Sequence, residues 1–125
     1  MATTSTIDYA AQSAIRERAD KAREFTHTVG DRTFKLRRPA DLRWRELIMA
    51  SQGNQALLER RTVMESVADW HGPVSADLPL PCTPDLIDLY FSERPEEFDS
   101  VCGALMNAIT TRRQERDAAK KASAS

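Results

Sequence analysis

The sequence predicts a mainly α fold: a small helical domain with one N-terminal β-hairpin. Three observations predict it. Apolar residues recur at helical spacing in most of the chain, strict two-residue alternation is confined to residues 24–38, and Pro, Gly, Asn and Asp punctuate the boundaries between these stretches. With 125 residues, 41% hydrophobic and 30% charged, the chain fits one compact domain that can bury a core without a metal or a disulfide.

Residues 7–23 are rich in Ala and straight-chain residues, which favour helix. Ile7, Ala11, Ile15 and Ala22 supply only a thin apolar stripe, so this helix is expected on a surface or against a partner. The next segment alternates. Phe25, His27 and Val29 share one face, and Arg32, Phe34 and Leu36 share one face of the return strand. A two-residue Gly30-Asp31 loop of type II′ pairs Val29 with Arg32, His27 with Phe34 and Phe25 with Leu36. A lone hairpin is marginal in water, so its apolar face must pack on helices.

Pro39 ends the second strand, and Asp41 is read as the cap of a helix starting at Leu42, with Trp44, Leu47 and Ile48 at helical spacing and Gly53 as its stop. Asn54 caps the next helix, whose apolar positions Leu57, Met64, Val67 and Trp70 carry it to His71-Gly72-Pro73. Residues 72–82 hold three prolines and are expected to form the longest irregular loop. Thr83-Pro84-Asp85 combines a hydroxyl cap, a proline in the first turn and an acid on the helix dipole. Pro95-Glu96-Glu97 repeats the signal before the cleanest amphipathic stripe, Phe98, Val101, Cys102, Leu105, Met106 and Ile109. Beyond Thr111 no apolar face continues, so residues 112–125 are either the exposed end of that helix or a disordered tail. The expected organisation is an N-terminal helical arm (1–23), a hairpin plus helical core (24–111) and a basic polar tail (112–125).

The net charge of −1 conceals polarity along the chain. Residues 24–61 carry eight Lys/Arg against five Asp/Glu, residues 62–101 carry one against nine, and residues 102–125 carry five against two. Such asymmetry suits orientation of subunits or partners, including self-association, better than blanket binding of nucleic acid. Cys82 and Cys102 have no paired spacing and read as reduced thiols. The N-terminus lacks the basic and apolar regions of a signal peptide, and no apolar run approaches the ~20 residues that span a bilayer. A cytosolic protein without a membrane partner is expected.

His27, His71, Cys82 and Cys102 include no close pair of the kind zinc sites use, so no metal is expected. His71 with Ser66 and Asp69 resembles a catalytic set only superficially, since each has a local explanation, and no glycine-rich phosphate loop is present. Neither enzyme nor cofactor is expected. Paired acids such as Glu96-Glu97 are explained as helix N-terminal charges. Arg32, Lys35, Arg37, Arg38, Arg43 and Arg45 crowd the hairpin and the following helix around Trp44, which could grip phosphates and stack a base. The opposing reading makes Trp44 core and the arginines a solvated or ion-paired face.

A helix ending in Val67-Ala68-Asp69-Trp70-His71-Gly72, then a short polar loop, then the run Leu80-Pro81-Cys82-Thr83-Pro84 into a capped helix, and Glu93-Arg94-Pro95 before an amphipathic C-terminal helix, resemble the tail assembly chaperones of long-tailed bacteriophages. The hairpin from Phe25 to Pro39 resembles the start of many members, so the likeness covers about residues 24–111; an aromatic often stands where this chain has Cys82. The resemblance implies a non-enzymatic protein of the host cell cytoplasm, absent from the mature virion. It would bind the tape measure protein, keep it soluble and help recruit the tail tube protein, the last indirectly or through a frameshifted longer form. The resemblance implies a structural motif of Val67, Asp69, Trp70, Gly72, Pro81, Thr83, Pro84 and Pro95. Candidate partner-binding residues are Ile7, Ile15, Arg37, Arg38, Arg43, Trp44 and Trp70. Two other readings remain: a small tail or connector protein retained in the virion, and a nucleic-acid-binding regulator using the Arg32–Arg45 patch.

Overall fold

A computed structural model describes residues 8–75 and 78–124. The fold is mainly α. In chain order come α1 (Tyr9–Arg23), β1 (Glu24–Val29), β2 (Arg32–Arg37), α2 (Asp41–Ser51), α3 (Gln55–Ser66) and β3 (Val67–His71). Then follow β4 (Val74–Ser75), β5 (Leu78–Pro79), α4 (Pro84–Glu93) and α5 (Pro95–Ala124).

The hairpin has the register the alternation predicts: Val29 opposite Arg32, His27 opposite Phe34, and Phe25 opposite Leu36. Gly30 takes φ 61° while Asp31 stays at negative φ, as a type II′ turn requires. Phe34 and Leu36 are fully buried, with Phe25 and Val29 packed beside them.

The largest departure from the sequence reading lies at Val67-Ala68-Asp69-Trp70-His71. These residues do not prolong the α3 helix. The helix ends at Ser66, Val67 turns to extended backbone, and β3 pairs antiparallel with β2, so the sheet has the order β1-β2-β3. A bulge lies between Lys35 and Leu36: Leu36 faces Val67 and Lys35 faces Asp69, which makes Ala68 the extra residue. The bulge lets Val67 and Trp70, three positions apart, both turn toward the core. In an unbulged strand an odd spacing would send them to opposite faces. Tertiary pairing with β2 overrides the local helical spacing.

Smaller corrections concern the ends of elements. Asp41 is the first residue of α2 and not its cap; Ala40 holds that position without a side-chain bond. The left-handed residue that stops α2 is Gln52, at φ 49°, followed by Gly53 at 80°. Thr83 precedes α4 with no hydroxyl bond to the helix, leaving Pro84 to define the first turn. Residues 72–82 are not wholly irregular, because β4 and β5 pair within them. Asn54 does cap α3, accepting from the Leu57 N–H at 3.1 Å. Residues 112–124 continue α5 as helix.

One core joins the sheet to the helices: Phe34, Leu36, Val63, Val67, Ile87, Tyr90, Phe91, Val101, Cys102 and Leu105. The aromatic centre is continuous. Phe34 meets Trp70 edge-on at 6.3 Å and Phe91 at 5.6 Å, and Trp70 meets Tyr90 at 5.4 Å. Burying these groups is the dominant favourable term in folding. Among the described residues no helix is long and apolar enough to cross a membrane.

Candidate functional site

The Val-x-Asp-Trp segment is built into the core. Val67 is buried, and Trp70 is half-buried with its indole N–H donating to the Leu80 carbonyl at 2.7 Å. That bond ties β3 to the run Leu80-Pro81-Cys82-Thr83-Pro84 that enters α4. Asp69 turns back on its own strand, accepting from the Trp70 backbone N–H at 2.8 Å. Gly72 adopts φ 104°, and a Cβ there would lie 3.0 Å from Arg32 Cγ and 3.1 Å from its Cα. Glycine is needed for both reasons: the conformation and the close approach to the hairpin. Pro95 opens α5. Trp70 therefore presents little apolar surface to a partner.

The arginines grouped by sequence are separated by the fold. Arg32 pairs with Glu97, and Arg37 donates to Glu24 at 2.7 Å. The Arg37 bond, helped by Lys35, holds the Glu24 carboxyl below its ordinary range. Arg43 bonds Glu65 through two nitrogens, at 2.6 and 2.9 Å, and Glu46 at 2.9 Å, which raises its already high pKa. Glu97 is more than a helix-terminal charge: it is 8% exposed and also accepts from the Tyr90 hydroxyl.

Arg38 and Trp44 come together, and here α5 contributes what the sequence grouping omitted. A pocket of about 220 Å³ is lined by Arg38, Trp44 and Arg45 from one side and Arg112, Arg113 and Arg116 from the other. Pro39, Ile48 and Ile109 supply apolar wall, and Asp41 is the acidic residue in the lining. Burial, then repulsion from Arg112, lowers the Arg38 pKa. Trp44 is half-buried, neither sealed in the core nor on an open face. Only the basic composition of residues 102–125 hinted at the second half of this pocket.

Apolar surface is concentrated elsewhere. No residue of α1 is buried, and Tyr9 and Ile15 are 74% and 68% exposed. Ile7 lies outside the described residues. On α2, Leu42 and Met49 are 70% and 78% exposed, with Ile48 less so. A second, open groove between α2 and α3, about 570 Å³, is floored by Leu47, Leu57 and Met64 and rimmed by Arg43, Arg60 and Arg61.

Among the described residues no group of three His, Cys, Asp or Glu is placed to hold a metal ion. His27 bonds the Ser100 hydroxyl at 2.8 Å, joining β1 to α5, and burial pushes both thiols up to about 11. Comparison with family models, with curated proteins and with solved structures returned no match.

Proposed function

We propose that this chain is a tail assembly chaperone of a long-tailed bacteriophage, acting without catalysis in the host cell cytoplasm. It binds the tape measure protein, keeps it soluble until the tail tube protein is recruited, and is absent from the finished particle. The observation that carries the reading is α1. This 15-residue helix buries none of its residues, although isolated helices of that length are marginal in water. Such a helix gains stability by laying its apolar stripe on a partner. Exposed Leu42 and Met49 and the α2–α3 groove add adaptable apolar surface of the kind a helical client needs. The resemblance at Val67–Gly72 and Leu80–Pro84 supplies the client's identity.

The test is co-expression with the tape measure protein of the same genome. The expected result is co-purification, with the tape measure soluble only when this chain is present. A tape measure soluble alone, with nothing co-purifying, overturns the reading.

A further inference from the structure

The pocket between α2 and α5 has properties that neither the chaperone reading nor the core requires. Three elements converge there: Arg38 just past β2, Trp44 and Arg45 on α2, and Arg112, Arg113 and Arg116 on α5. Elsewhere several basic side chains meet a carboxylate, as Arg32 does Glu97, Arg37 Glu24 and Arg60 Asp88. Inside the pocket, five guanidiniums line the wall with one carboxylate, Asp41, which is 3.5 Å from Arg116 and 3.9 Å from Arg112. Among the described residues, Arg38, Arg45 and Arg113 have no carboxylate within ion-pair distance.

A second observation is independent of charge. The Trp44 indole nitrogen and the Arg116 Nε are buried without a hydrogen-bond acceptor, as are the Nε atoms of Arg32 and Arg37 elsewhere. A buried donor left unpaired costs roughly 1–3 kcal/mol, so such groups normally have a partner. Trp44 and Arg116 line this pocket. An oxyanion seated there would supply the missing negative charge.

Two features select the kind of oxyanion. Pro39, Ile48 and Ile109 form an apolar wall, which suits an acidic side chain flanked by hydrophobic ones and offers nothing to a phosphate chain. The positive surface is also short: Glu46 on α2 and Glu115 and Asp117 on α5 are exposed beside it, so a nucleic-acid backbone would have no continuous basic track. We propose that this pocket binds acidic side chains of a protein partner, presented by an amphipathic segment that carries paired Asp or Glu beside an apolar residue. The inference rests on the pocket alone and holds whichever protein the chaperone surface engages.

The test is fluorescence anisotropy on the full chain with a labelled Leu-Glu-Glu repeat peptide. Its Leu-Gln-Gln counterpart and a labelled single-stranded oligonucleotide serve as comparison probes. The expected result is saturable binding of the acidic peptide that weakens with salt and drops at least ~10-fold in Arg112→Ala/Arg116→Ala, a loss that corresponds to about 1.4 kcal/mol. Lys121→Ala, which removes an exposed charge of α5 that does not line the pocket, should leave binding unchanged. Circular dichroism of each variant separates lost binding from lost fold. Equal binding of the Gln peptide, equal binding by the arginine variant, or displacement by millimolar inorganic phosphate overturns the proposal. Tighter binding of the oligonucleotide at matched salt overturns it too, and transfers the pocket to nucleic acid.

Discussion

The guanidinium of Arg32 on β2 and the carboxylate of Glu97 in the first turn of α5 form an ion pair between residues 65 positions apart. The second carboxylate oxygen accepts from the Tyr90 hydroxyl of α4. Arg94 stacks over the same tyrosine ring, 4.3 Å from its centre. A helix-starting acid thus fastens the hairpin to the α4–α5 corner. Burial, and then the bond to Glu97, pushes the Tyr90 hydroxyl well above its ordinary pKa.

Removing one member of this set should cost far more than removing a surface pair. Glu97→Ala leaves Arg32 and Tyr90 without their acceptor and should destabilise by about 3 kcal/mol in urea unfolding. Tyr90→Phe removes only the hydroxyl bond and should cost about 1 kcal/mol. Lys21→Ala, which breaks an exposed pair with Glu17, should change stability by no more than about 0.5 kcal/mol. Equal losses at the three positions would contradict the assignment.

Alkaline pH should weaken the fold. The folded-state values of Tyr90, Cys82 and Cys102 are all raised, mainly by burial, so each group holds its proton more tightly when folded. The stability the two thiols contribute is complete below their unfolded pKa and is lost as pH climbs from the ordinary value of 9.0 through about 11, and the loss from Tyr90 comes at higher pH. The urea midpoint should fall between pH 8 and pH 10.5, and Cys102→Ala should fall less steeply. At pH 8 both thiols should react with iodoacetamide roughly 100-fold more slowly than in the unfolded chain. On the acid side Glu24 behaves oppositely: its depressed value contributes stability above the unfolded carboxylate range, which is lost as pH drops through the folded pKa.

Two glycines with positive φ should respond differently to alanine. Gly30 sits in the hairpin turn with nothing near an added Cβ, so Gly30→Ala should cost about 1 kcal/mol from backbone strain alone. Gly72→Ala adds a collision with the Arg32 backbone to the strain and should cost about 2–3 kcal/mol, with loss of the β2–β3 pairing in amide exchange.

Deleting residues 8–22 should leave the domain folded, because α1 buries no side chain, and should abolish solubilisation of the tape measure protein. Arg23 is kept because its backbone and guanidinium both bond the backbone of Arg38. A thermal midpoint unchanged within about 3 °C, together with a lost pull-down, is the expected pair of results.

The hairpin and its register were legible because alternation and a Gly-Asp loop are local signals. The third strand was not. Val67 and Trp70 continue the helical spacing of Leu57 and Met64, and only the bulge at Ala68 makes that spacing serve a strand. Neither Val67 nor Trp70 announces β2 as a partner. The basic pocket was half legible: Arg38, Trp44 and Arg45 are neighbours in sequence. Arg112 and Arg116 join them through the packing of α5, and the basic composition of residues 102–125 says nothing of where that helix packs. Glu97 is a first-turn acid as read, but its bonds to Arg32 and Tyr90 went unseen, since that local explanation was already sufficient.

Phe34 sits at zero exposure, and its aromatic neighbours Trp70, Tyr90 and Phe91 all follow it in the chain. On the ribosome, the hairpin that carries it emerges with one strand edge open until His71 is made, and the ring lacks its full cover until Phe91 is made. Polypeptides terminated before that point therefore carry a sticky aromatic centre and an unpaired edge at once. For this protein, the last third of the gene supplies cover that the first third needs to stay in solution.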